Sequence, residues 1–379
     1  MDEQIKTSVS KKWWVVGVII LILIIVVVNK NSSKLPEGGY KIGAVLALTG
    51  GNAAYGQSTK KGMDLAVEEL NKDGENIKVV YEDEKSVTEG TVSSFQKLIS
   101  VDNVPVVVGF ISSNGALAAA PIANDKKVVE LSTLSGGDEL KEAGDYVFRI
   151  REKSAAHGEG MAKLAKDTLN FNKVALYYAN AANGISYADA FRREFTTLGG
   201  TIVFEQKYME KSNDFRSDLS KIKSSGAEAV YLAGTAVDMG QILFQANDMG
   251  ITAKWLASAG AENPKLVEIA KKAADGVIYT TPAFNPNQTN SSVQKFVEAY
   301  KQKYNEAPNF VAANGYDGIM LTYQVIKKYG YDSESIKKGL YATKDFPGEG
   351  GTFSFDEFGE VQKPIMFKTV KDGQFVLYK

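Results

Sequence analysis

Short runs of apolar and β-branched residues alternate along this chain with stretches whose apolar positions recur every three or four residues. The first run, "YKIGAVLAL" from Tyr40, reads as a strand. Met63, Ala66, Val67 and Leu70 then fall at i, i+3, i+4 and i+7, the spacing of one helix face. "IKVVYED" is the next strand, and Val92, Phe95, Leu98 and Ile99 mark the next helix. "VPVVVGF", the helical "NGALAAAPIAN" and the strand "KVVELST" continue the rhythm. These strands are apolar on both faces, as expected where helices cover a parallel sheet on both sides.

The rhythm then restarts. "KVALYYA", "TIVFEQ", "EAVYLAG", "KWLASAG" and "GVIYTT" read as strands, separated by helical stretches such as Met239, Ile242, Leu243 and Ala246. Two successive series predict an α/β protein of two similar lobes, each a doubly wound, mainly parallel sheet. The tail differs: two helices, "NSSVQKFVEAYKQKY" and "NFVAANGYDGIMLTYQVIKKYG", precede a hairpin, "PIMFKTVKDGQFVLY", with Asp372-Gly373 in its turn.

The N-terminus follows another pattern. Lys11 and Lys12 precede Trp13–Val28, a run without charge that ends at Asn29-Lys30. Its length lies between a signal peptide's apolar region and a full spanning helix. No small-x-small cleavage site follows, and without cysteine a lipoprotein anchor is impossible. The segment 1–39 is therefore expected to be an export signal that stays as a membrane anchor, with "NSSKLPEGG" as a flexible spacer.

Composition narrows the chemistry. The 379 residues are 44% hydrophobic and 23% charged with a formal net charge of −1, which gives no support to a nucleic-acid partner. No cysteine is present, so zinc–thiolate sites, thiol nucleophiles and disulfides are excluded. The one histidine, His157, stands at a helix entrance, where a surface or helix-start role is the expectation. Neither a catalytic residue, a metal site nor a cofactor is expected.

"GNAAYGQS", Gly51 to Ser58, matches the phosphate-loop template G-x-x-x-x-G-K-[ST] except at Gln57. Without the lysine it lacks the charge that reaches the β/γ-phosphates. What remains is a sharp turn at a strand end that carries Tyr55 to the lip of a crevice. "GFISSNGALAAAP" places Ser112, Ser113 and Asn114 between a strand and an alanine-rich helix, where hydroxyls and early N–H groups suit an anion or polar head group. "TLSGGDEL" puts Ser135 just after the next strand. The competing reading is simple helix capping by Ser113 or Asn114. The ligand reading gains from three polar loops lying at carboxyl ends of neighbouring strands.

The first of these stretches extends to "YKIGAVLALTGGNAAYGQSTKKGMDLAVEELN". Together with "VVVGFISSNGALAAAPIA", "DMGQILFQANDMG" and "NGYDGIMLTYQVI", it resembles the type I periplasmic solute-binding proteins. These are receptors of ABC importers in the branched-chain amino acid group, and the likeness runs from Tyr40 to Lys379. It implies two lobes joined by three crossovers, 40–153 plus 283–360 and 154–282 plus 361–379. It also implies ligand contacts. Ser113 beside Asn114 would hold a carboxylate, with Ser135, the Thr133 carbonyl and the aromatic Tyr55 around it. Departures fall on the second lobe. Asn183 replaces a covering tyrosine, Thr235 takes the following contact, and Ala259 stands where relatives carry the acid that holds an ammonium, with Glu262 three residues beyond.

The resemblance thus predicts an extracytoplasmic receptor that passes a small polar solute, an amino acid, carboxylate or amide, to an ABC permease. A ligand-sensing ectodomain of the same fold and an exported α/β enzyme are the alternatives. With Ala259 at the acidic position, the expected ligand lacks an ammonium group, unless Glu262 or Asp238 swings in to replace the acid.

Overall fold

The computed structural model describes residues 38–287 and 291–378. The apolar run Trp13–Val28 lies outside them, and among the described residues no helix is long and apolar enough to cross a membrane.

The first series builds one sheet from β1 (Tyr40–Leu46), β2 (Ile77–Asp83), β3 (Val106–Gly109), β4 (Val129–Ser132) and β5 (Val147–Arg149). Its order is β2-β1-β3-β4-β5, with every pairing parallel. The second series supplies β6 (Lys173–Ala179), β7 (Thr201–Tyr208), β8 (Ala229–Ala233), β9 (Lys254–Ala257) and β10 (Ile278–Pro282). These lie in the order β10-β9-β8-β6-β7, again all parallel. β11 (Phe346–Gly348) and β12 (Gly351–Phe353) form a small separate hairpin. β13 (Ile365–Lys371) and β14 (Gln374–Leu377) return to the second sheet, where β13 pairs antiparallel with β10. The turn between them has Asp372 at φ 49° and Gly373 at φ 73°, the doubly positive geometry that Asp-Gly favours.

Both sheets share one winding. The chain lays its second strand on one side of the first, then crosses back to lay the third on the other. That leaves a crevice at the carboxyl ends between β1 and β3, and another between β6 and β8.

Burial follows the pattern of the sequence. Ile42, Ala44, Val45 and Leu46 of β1 are fully buried and share one core with residues of the 310–329 helix. In the second sheet, alternation splits the strands between two cores. Tyr177, Leu232 and Tyr279 face one side, and Leu176, Tyr178, Tyr231 and Leu256 the other. The helices Ala53–Lys72 and Phe310–Tyr329 cross closely because a glycine sits at the contact. A Cβ on Gly62 would stand 1.9 Å from the Ala312 carbonyl oxygen.

The differences from the sequence reading are local. β5, β11 and β12, at three residues each, are too short for a periodic signal. "KWLASAG" stops being strand at Ala257 and turns through a short 3-10 segment, Ala259–Ala261. His157 does stand in the first turn of a helix, Ser154–Lys163, but it is fully buried rather than at the surface. There its Nε2 meets Glu152 Oε1 at 2.6 Å.

Candidate functional site

The two crevices face each other across a small cavity of about 70 Å³. An outer chamber of about 240 Å³ adjoins it and shares Asn52, Ser112, Asn114, Glu210 and Thr235 with it.

From the first sheet, the turn after β1 delivers Tyr55 on the first turn of the 53–72 helix. Gly56 permits this, since a Cβ there would lie 2.0 Å from the Ala47 carbonyl oxygen. The second glycine of "GNAAYGQS" thus seats a helix against a strand end, which is a packing role. Gln57 bonds the nearby Leu48 carbonyl at 3.2 Å. The Tyr55 hydroxyl donates across the cleft to the Gly260 carbonyl at 2.7 Å. Burial pushes its phenol well above the ordinary value.

After β3, Ser112 caps the 113–126 helix by accepting from Gly115 N at 3.4 Å. Ser113 Oγ accepts from Gly136 N at 3.1 Å and Gly137 N at 3.0 Å, which leaves its proton to donate. Asn114 Oδ1 accepts from Ala182 N at 3.1 Å, a second bond across the cleft.

Thr133 and Ser135 do not line the cavity; they support it. Thr133 donates to the Gly109 carbonyl, and its own carbonyl is taken by Asn314 Nδ2 at 3.0 Å. Ser135 Oγ donates to the Phe110 carbonyl at 2.8 Å. Leu134, between them, turns into the cavity.

On the second sheet, Asn183, Thr235 and Ala259 all line the cavity. Asn183 Oδ1 accepts from Gly184 N at 2.9 Å. Thr235 Oγ1 caps the 236–248 helix by accepting from Asp238 N at 3.3 Å. Glu262 does not reach the cavity, because it is buried in an ion pair with Lys368. Asp238 lines only the outer chamber, where burial raises its carboxyl above the usual range.

Four charged or aromatic lining residues escaped the sequence reading. Arg151 leaves β5 on the first passage between the sheets. Tyr187, one turn beyond Asn183, returns a tyrosine to the wall where Asn183 replaces one. Phe310 opens the long 310–329 helix. Glu210, after β7, supplies a carboxylate whose pKa burial and the nearby Asp238 both raise, against the pull of Lys211. An acid is thus present at the site, though in a different loop from Ala259.

Two further bonds close the cleft: Asp138 N to Ser186 Oγ at 3.0 Å, and Lys211 Nζ to the Ser86 carbonyl at 3.3 Å. Among the described residues no group of three or more His, Asp or Glu side chains is placed to hold a metal ion. The arrangement can enclose a compact polar molecule between two lobes.

Comparison with known proteins agrees. A sequence profile described as "Periplasmic binding protein" matches residues 39–374. The chain is similar to Leu/Ile/Val-binding protein homolog 3 of Brucella melitensis, at 28% identity over 88% of this chain and 92% of that one. Among solved structures it is similar to the branched-chain amino acid transporter substrate-binding protein LivJ of Streptococcus pneumoniae, in complex with isoleucine. The TM-score is 0.83 at 30% identity, covering 89% of this chain and 97% of that one. A solute-binding protein of an ABC transporter from Rhodopseudomonas palustris, in complex with 3,4-dihydroxybenzoic acid, gives a TM-score of 0.79 at 27% identity, covering 90% and 96%. These relatives are solute-binding proteins, not enzymes. With a match over 39–374 and two α/β lobes of identical winding about one cleft, the chain belongs to the periplasmic binding protein family, in its type I form.

Proposed function

We propose that this protein is the extracytoplasmic substrate-binding receptor of an ABC importer, and that it captures a compact polar solute between its lobes. The observation that carries this reading is the cavity at both switch points, lined from both sheets and sealed by side chains that bond across it. The lobes would comprise 40–153 with 283–360, and 154–282 with 361–379. Tyr55, Ser112, Ser113 and Asn114 would meet the solute from one side, and Asn183, Thr235 and Ala259 from the other, with Thr133 and Ser135 behind them. The relatives' ligands, isoleucine and a dihydroxybenzoate, set the size class: a carboxylate on a small apolar body.

Trp13–Val28 would tether the receptor to the membrane beside its permease. N-terminal sequencing of the mature protein should return the unprocessed start, and a start near Lys34 would overturn the tether. Mass spectrometry of gently purified protein should recover a small solute, and calorimetry with that solute should show saturable binding near 1:1. Steady chemical turnover of the solute would instead support the exported-enzyme alternative.

A further inference from the structure

The cavity contains one full positive charge, on Arg151, whose hydrogen bonds both go to neutral oxygens. Arg151 is 7% exposed. It spans the two sides of the cleft: Nη1 donates to the Leu134 carbonyl at 2.6 Å, and Nη2 to the Tyr187 hydroxyl at 2.7 Å. A guanidinium carries five N–H donors, so these bonds use two of them. Its closest carboxylate oxygen, Glu152 Oε1, stands 3.8 Å from Nε and already bonds His157 at 2.6 Å. Nε itself is buried without a hydrogen-bond partner. A buried guanidinium is stable where an anion meets it, and its planar fork matches a carboxylate.

Its neighbours are also donors. Ser113 Oγ already accepts two backbone N–H groups, so its hydroxyl is left to donate. Asn114 has its carbonyl oxygen engaged by Ala182 N, which leaves the amide N–H₂. One loop supports both sides of this set: Arg151 holds the Leu134 carbonyl, and Ser113 holds the amides of Gly136 and Gly137. Such donors match a group that only accepts, and they leave the N–H₂ of a carboxamide facing other donors. Beside this set the wall is apolar, with Leu134 and with the Phe310 ring centred 5.9 Å from the guanidinium carbon, while Asn183, Thr235 and the carboxyl of Glu210 line other parts of the cavity.

Building on the receptor reading above, we infer that Arg151 is the charge-selecting contact of this site. The ligand is a small organic acid whose anionic oxygens meet the guanidinium, and the matching amide is refused. Because Arg151 bonds Leu134 on one side and Tyr187 on the other, an acid seated there engages both sides of the cleft at once.

The test is calorimetry on the full chain in detergent, with two acid–amide pairs: 3,4-dihydroxybenzoate against 3,4-dihydroxybenzamide, and isoleucine against isoleucinamide. The wild type should bind at least one acid more tightly than its amide. Arg151→Met should weaken that acid by between about tenfold and a hundredfold, the worth of a hydrogen-bonded charge. The amide should change by less than about threefold, and Arg151→Lys should recover most of the acid's affinity. A purely structural role predicts instead that acid and amide weaken together in Arg151→Met and that lysine rescues neither; that result overturns the inference. So does a wild type that binds an amide as tightly as its acid, a reading that stands even if the methionine variant does not fold. A co-purified solute without an acidic group overturns the inference and leaves the receptor reading intact. No bound or co-purified small molecule of any kind overturns both.

Discussion

Single side chains set how this protein responds to pH, and Glu84 is the clearest case. It is fully buried just after β2; Oε2 accepts from Thr91 Oγ1 at 2.8 Å, while Oε1 has no partner. Burial, with a smaller push from Asp83, raises its pKa from 4.5 to about 7. A carboxyl raised on folding contributes stability that is complete below its unfolded value. That contribution is lost as pH rises through the folded value, here between 4.5 and about 7. Glu84→Gln keeps an acceptor for Thr91 and removes the titration. Relative to wild type, it should therefore gain on the order of 1–3 kcal/mol on going from pH 5 to pH 8. Urea unfolding at the two pH values measures this, and a pH-independent difference would contradict it. The Glu152–His157 pair works in the opposite direction. Against its burial, the bond to His157 holds Glu152 near 2, and burial holds His157 below its ordinary value. Both depressed groups lose stability as pH falls. Substituting His157 with Gln should flatten the acid side of the stability profile below about pH 6.5, the unfolded histidine value.

Between elements, the helix crossing at Gly62 fixes how the 310–329 helix lies on the first sheet. The contact is backbone to backbone, so no rotamer change can make room for a methyl group. Gly62→Ala should destabilise the protein by about 1–3 kcal/mol through overpacking, despite alanine's better helix propensity. Chemical denaturation should show a lower midpoint with an unchanged slope. A gain in stability would mean that the two helices slide apart freely. Helix starts near the site are set by short side chains: Ser112, Thr235 and Asn309 each accept from a backbone N–H of the helix they precede. The first two hold the edges of the cavity as well, so capping and ligand contact share the same residues.

Over the whole molecule, the proposed receptor role turns on opening and closing of the cleft. The Tyr55–Gly260, Asn114–Ala182, Asp138–Ser186 and Lys211–Ser86 bonds exist only when the two sides meet. A ligand shifts that equilibrium by its differential affinity for the closed form. Tyr55→Phe keeps the ring and leaves the Gly260 carbonyl without its donor, at a cost to the closed form of about 1–3 kcal/mol. Apparent affinity should fall by roughly five- to a hundredfold. Small-angle scattering should show compaction at saturating solute in both proteins, with the variant needing more solute to reach it. No compaction in the wild type would contradict a closing receptor.

The sequence by itself determined the alternation of strand and helix, the two series, the Asp-Gly hairpin and the lip built by "GNAAYGQS". Each of these rests on local periodicity or on backbone preferences of a few adjacent residues. Strand-end loops at a switch point converge whatever their detailed contacts, which is why Tyr55, Ser112, Ser113 and Asn114 meet at one cavity; Asn183, Thr235 and Ala259, also in its lining, are indicated only by the family resemblance. What only the tertiary structure decided is which polar groups remain free. Ser135 and Thr133 are consumed by neighbouring carbonyls and Asn314, and Glu262 by Lys368, partners up to 181 residues distant in sequence for Thr133. Arg151 and Glu210 carry no motif, and Tyr187 and Phe310 read as ordinary helix residues. Their place in the cavity depends on how one lobe docks on the other, and that is set by packing between segments far apart in the chain.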